Sequence, residues 1–114
     1  MQEKIKESVA TLLAHIIKID HRNLEKEAPL FCSMLGADFG CSEVEAKEFL
    51  EKIMKKEYNI DYHISIINKA LCDDEFSKMQ ILDRLNHIIY SDEITPQDYD
   101  EFERIKEQLF ACKK

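Results

Sequence analysis

Ile5-Lys6-Glu7-Ser8-Val9-Ala10-Thr11-Leu12-Leu13-Ala14-His15-Ile16-Ile17-Lys18-Ile19 is the stretch on which the fold turns. Ile5, Val9, Leu12, Ile16 and Ile19 recur at intervals of four and three, the spacing of one face of an α-helix. Leu13 and Ile17 widen that stripe. A helix over about residues 2–20 therefore has to be covered on more than one side, which marks it as central.

The same periodicity continues along the chain. After the polar break Asp20-His21-Arg22-Asn23, Asn23 is placed to cap a second helix that runs to about Leu35 and stops at Gly36. Pro29 falls beyond its first turn, so a kink or a later start is expected. Ser42-Glu43-Val44-Glu45 reads as a capping box opening a third helix with Phe49, Leu50, Ile53 and Met54 inside and Lys55-Lys56 at its end. Ile60, Ile64, Ile67 and Leu71 mark a fourth helix, and Phe76, Met79, Leu82, Leu85 and Ile89 a fifth. Asp73-Asp74-Glu75 reads as the acidic start of that fifth helix. Thr95-Pro96-Gln97-Asp98 opens the last, with Phe102, Ile105 and Leu109 facing inward. The expectation is an all-α, compact bundle of about six helices forming one domain over residues 1–114.

Composition agrees. The chain has 114 residues with only two Gly and two Pro, too little punctuation for a sandwich or barrel of many turns. It carries 23 Asp and Glu against 16 Lys and Arg, a net charge of −7, which disfavours a nucleic-acid backbone as partner. No apolar run reaches the roughly 20 residues that span a bilayer, and the start lacks the apolar core of a signal peptide. Cys32, Cys41, Cys72 and Cys112 form no CxxC pair. The expectation is four reduced thiols in a cytoplasmic protein, with no zinc knuckle.

The most informative pattern is a repeat. His15-Ile16-Ile17-Lys18-Ile19-Asp20 and His87-Ile88-Ile89-Tyr90-Ser91-Asp92 share His-Ile-Ile-x-x-Asp at an offset of 72 residues. Each is followed by a short loop, an apolar residue (Leu24, Ile94) and an acid early in the next helix (Glu27, Asp98). This reads as an internal duplication of a helix–acidic loop–helix unit about a pseudo-two-fold axis.

On these residues the chain resembles the TerB-like family, the tellurite-resistance TerB domain that also occurs in co-chaperones. Leu12, Leu13, Ile16, Asp20, Leu24 and Glu27 match the first copy of the family pattern; Ile88, Asp92, Ile94 and Asp98 match the second, and Thr95-Pro96 is similar to its helix start. The chain departs from the pattern where His21 and Glu93 replace a glycine after each Asp, in the lengths of the loops, and in having Asp98 for the usual Glu. It has no His-Pro-Asp tripeptide, so no J domain is expected within these 114 residues. The resemblance implies an all-helical domain with ion-binding acids, in a stress-response or tellurite-resistance setting with other stress-response proteins as partners.

Asp and Glu oxygens suit hard divalent cations such as Ca²⁺ or Mg²⁺. The candidate metal ligands are Asp20 and Glu27 from the first unit and Asp92, Glu93 and Asp98 from the second. The plainer reading is exposed acids and helix-start charges. An EF-hand is excluded. With Asp92 first and Glu103 twelfth, the third, fifth and sixth positions are Ile94, Pro96 and Gln97, which cannot make that loop. His15, His21 and His87 are available to join a site, although a His beside an apolar stripe is more often a hydrogen-bonded packing residue. His63 receives no role. No phosphate loop, GxSxG or HExxH occurs, and no cysteine has an evident activating neighbour, so the chain is read as not an enzyme.

Two function classes stand: a cation-binding TerB-like module, and a metal-free interaction domain docking a basic partner on an acidic surface. A nucleic-acid mimic and a small Cys/His enzyme rank below them. The charge itself is local. Six acids and no base lie between Asp92 and Glu103, and the remainder holds 17 acids against 16 bases.

Overall fold

The computed structural model describes residues 5–19, 24–90 and 96–110, the side chains of Leu24, Glu25 and Asp98 excepted. Six helices follow one another: α1 (Lys6–Ile19), α2 (Leu24–Phe39), α3 (Glu43–Lys55), α4 (Ile60–Ala70), α5 (Glu75–Tyr90) and α6 (Pro96–Leu109). No strand occurs among the described residues, so the chain is an all-α bundle.

The wide stripe of α1 makes it the hub. Every residue from Ser8 to Ile17 except His15 is buried. The helix packs on each of the other five. Around it the neighbours run α3, α2, α5, α6, α4, each packed on the next. The ring is open between α3 and α4. The principal dimensions are 40 × 32 × 24 Å.

Local chemistry explains most boundaries. Ser42 Oγ accepts from Glu45 N at 3.1 Å, the bond expected of an N-cap. Asn59 caps α4 in the same way, accepting from Asp61 N and Tyr62 N at 3.0 and 3.3 Å. Asp74 caps α5 through both oxygens, from Ser77 N at 3.0 Å and Ser77 Oγ at 2.7 Å. These hydrogen bonds hold the Asp74 carboxyl below its usual range.

Three sequence expectations need correction. Gly36 does not end α2, which continues to Phe39 and passes through Pro29. Burial of Phe31, Met34 and Leu35 offsets the roughly 3 kcal/mol that an interior proline costs. The chain turns at Gly40 instead, whose φ of 69° suits glycine. In α5, Phe76 is 80% exposed and Met79 is also exposed, whereas Lys78 is buried. The inner face therefore runs through Lys78, Ile81, Leu82, Leu85, Ile88 and Ile89, one position out of phase at its start. The described cysteines are also not equivalent: Cys72 is disulfide-bonded, whereas Cys32 and Cys41 keep their thiols. Cys112 and the caps Asn23 and Thr95 lie outside the described residues.

The duplication is not established. α1 is enclosed by five helices, whereas α5 packs on α1, α2 and α6 and keeps an exposed flank.

Candidate functional site

Of the five acids read as metal ligands, Asp20, Asp92 and Glu93 lie outside the described residues. Asp98 lies in the first turn of α6, its side chain likewise outside the description. Glu27 sits in the first turn of α2 and is 1% exposed, a buried carboxyl rather than a surface charge. Among the described residues no group of three or more His, Cys, Asp or Glu converges as metal ligands. His21 lies outside the description, and His87 is exposed on α5.

His15 is the residue the sequence placed best. It interrupts the buried run of α1, and both its ring nitrogens are engaged. Nε2 lies 2.9 Å from Glu101 Oε2, and Nδ1 lies 2.8 Å from Tyr58 Oη. An ionised carboxylate only accepts, so Nε2 carries the proton; in the neutral ring Nδ1 then accepts from the phenol. The Tyr58 ring meets His15 edge-on at 5.6 Å and has Lys18 Nζ 5.1 Å from its centre.

The network continues outward. Arg104 Nε donates to Glu101 Oε1 at 2.5 Å, and Arg104 Nη1 donates to Asp61 Oδ1 at 2.7 Å. One chain of contacts thus ties α1, the α3–α4 connection, α6 and α4. Burial alone would raise the Glu101 pKa, but hydrogen bonds from Arg104 and His15 outweigh it and hold the carboxyl below its usual range. Asp61 is lowered by its Arg104 bond. Tyr58 is pushed up, first by burial and then by the Glu101 charge.

Where the ring of helices opens, α1 forms the floor of a cleft of about 630 Å³ between α3 and α4. Phe49, Ile53 and Ile66 give it apolar walls, Tyr58 and Tyr62 flank it, and its charged lining consists of four glutamates and two lysines. On the floor, Ser8 Oγ lies 3.0 Å from His63 Nδ1. Burial lowers the His63 pKa; Glu7 opposes this and Lys56 adds to it. Ser8 is buried except where it meets this floor, and the pair joins α1 to α4. A second clamp joins α2 to α5: Arg84 Nε and Nη2 donate to the two Asp38 oxygens at 3.2 and 3.1 Å. Gln80 adds a bond to the same carboxylate.

Sequence reasoning missed Glu101, Tyr58, Ser8 with His63, and Asp38 with Arg84. The Glu101–Arg104 spacing of three on one helix was a readable signal. The partners of His15 lie 43 and 86 residues away and left none. Compared with family models, curated proteins and solved structures, the chain matches none.

Proposed function

We propose that this chain is a TerB-like, non-enzymatic module that binds a divalent cation, Ca²⁺ or Mg²⁺, through acids at one end of the bundle. The observation that carries the reading is the His15–Glu101 contact. His15 lies four residues before the end of α1 and Glu101 five residues into α6. At 1.5 Å per residue, His15 and Glu101 each lie within about 8 Å, along the helix axis, of those helix ends. Asp20 follows α1 directly, Asp92 and Glu93 precede α6 by a few residues, and Asp98 lies in its first turn. The end of α1 and the start of α6, which these acids adjoin in sequence, thus lie at one end of the bundle, and an all-oxygen donor set suits hard cations. A Cys32 thiol raised by burial and by Glu43 speaks for a binding role rather than thiolate chemistry. Calorimetric titration with Ca²⁺, Mg²⁺, Mn²⁺ and Zn²⁺ tests the reading. Saturable heat is expected for the wild type and none for the Asp20→Asn, Asp92→Asn double variant; no heat with any ion overturns it.

The cleft favours a second reading, an interaction domain for a basic partner. Its apolar walls and acidic majority suit a segment with apolar anchors and flanking Lys or Arg. A synthetic Leu/Lys amphipathic peptide is the probe. Binding that disappears on the double reversal Glu45→Lys, Glu48→Lys supports this reading, and equal binding by both proteins removes it.

A further inference from the structure

We infer that the cleft between α3 and α4 binds a small primary alkylammonium ion, its tail lying between the apolar walls and its charge held at the acidic half of the rim. The inference goes beyond the peptide reading of the same cleft and does not depend on it. A volume of about 630 Å³ falls within the roughly 300–1,000 Å³ usual for small-molecule sites. The cleft narrows toward its floor, because Ser8 and Thr11 line it and are each only 2% exposed. A helix is about 10–12 Å across and would lie over α3 and α4 without reaching that floor, whereas a single methylene chain can enter.

The interior suits an apolar tail. Phe49, Ile53 and Ile66 supply the walls, and Phe49 and Ile66 keep part of their surface uncovered. The hydroxyls of the floor already have partners inside the protein. Thr11 Oγ1 donates to the Glu7 carbonyl at 2.7 Å, and Ser8 Oγ shares a hydrogen bond with His63 Nδ1 at 3.0 Å. A tail that offers no hydrogen bond therefore leaves none of these broken. Burial lowers the His63 pKa, so at neutral pH its ring adds little positive charge to the floor.

The rim sets the sign of the ligand and its direction. On the face that α3 turns to the cleft, Glu45 and Glu48 lie in the first half of the helix and Lys52 and Lys56 at and beyond its end. With Glu7 and Glu57 the lining holds four carboxylates against two ammonium groups. None of these six makes an ion pair among the described residues. An alkylammonium head carries a positive charge and only donors, which matches the surplus of acceptors. It is drawn to Glu45 and Glu48 and repelled from the half that carries Lys52 and Lys56, which leaves one direction of entry. All four of these side chains belong to exposed residues, so the head stays hydrated at the rim while the tail is covered.

The test follows backbone amide NMR shifts of the isotope-labelled full chain during titration with octylamine, octanoate and octanol at neutral pH. Octylamine should give saturable shifts centred on Ser8, Thr11, Phe49, His63 and Ile66, and should bind about tenfold more tightly than octanoate, which has the same tail and the opposite charge. In a Glu45→Gln, Glu48→Gln variant that preference should fall to about threefold or less, with octanol binding unchanged. Equal affinities of octylamine and octanoate for the wild type overturn the inference, as do shifts that fail to saturate or that centre elsewhere. A preference unchanged in the double variant overturns the placing of the charge at Glu45 and Glu48. Binding of the Leu/Lys peptide without binding of octylamine overturns this inference and leaves the peptide reading standing; octylamine binding without the peptide does the reverse.

Discussion

His15 and His87 hold the same place in the His-Ile-Ile-x-x-Asp pattern, and the two surroundings differ in kind. His15 is enclosed and bonded through both nitrogens, to Tyr58 and to Glu101. His87 stands exposed on the outer side of α5. The isoleucines beside them are all buried, Ile16 and Ile17 in the hub and Ile88 and Ile89 on a peripheral helix. A short repeat thus fixes helix phase, because apolar spacing must follow the local core. It does not fix polar roles, because those depend on which later helix arrives opposite.

The sharpest way to break the comparison is in the cores. Ile16→Ala and Ile88→Ala remove the same atoms from matching positions, and each should cost about 2–5 kcal/mol by denaturant unfolding. Enclosure by five helices puts Ile16 toward the upper end and Ile88 toward the lower. Equal costs would restore the case for a pseudo-two-fold. Next in size, Arg84→Ala should cost about 3 kcal/mol, because it leaves the nearly inaccessible Asp38 carboxylate without its guanidinium. An Asp38→Asn, Arg84→Met double variant should recover much of that loss.

His15→Ala should cost about 1–3 kcal/mol by leaving Glu101 and Tyr58 without their shared partner, whereas His87→Ala should stay within about 0.5 kcal/mol. Similar values for the two would mean that the network adds nothing beyond packing. The smallest effect is a pH dependence. The folded state lowers the His63 pKa below its ordinary 6.5, so the unfolded chain takes up the proton more readily. That contribution is complete above 6.5 and is lost as pH falls through the folded value. Tm measured from pH 8 to pH 5 should therefore fall less steeply in His63→Gln than in the wild type.

Helix number, most boundaries and the central position of α1 were legible because each depends on residues close in sequence. Ser42 and Asp74 announced helix starts, and Leu13 with Ile17 announced enclosure on several sides. Gly36 misled because packing of Phe31, Met34 and Leu35 carried α2 past it. Phe76 and Met79 misled because a stripe read at its edge can be one position out of phase. The network around His15 was not legible, since its members come from four separate parts of the chain and only the packed bundle brings them together. Of the acids read as ligands, the described residues include the side chain of Glu27 alone, and its burial could not be read from a charge pattern.

The hub position of α1 also sets an order of events during synthesis. Its apolar faces are needed by helices made later, the last of them α6, some 90 residues downstream. At about 5–20 residues per second, a helix with apolar residues on several sides waits roughly 5–20 s for its final covering. During that interval nascent chains are open to holdase chaperones and to one another. Removing α6 would make the exposure permanent, so truncated chains should be recovered as aggregates or chaperone complexes rather than as a smaller folded bundle.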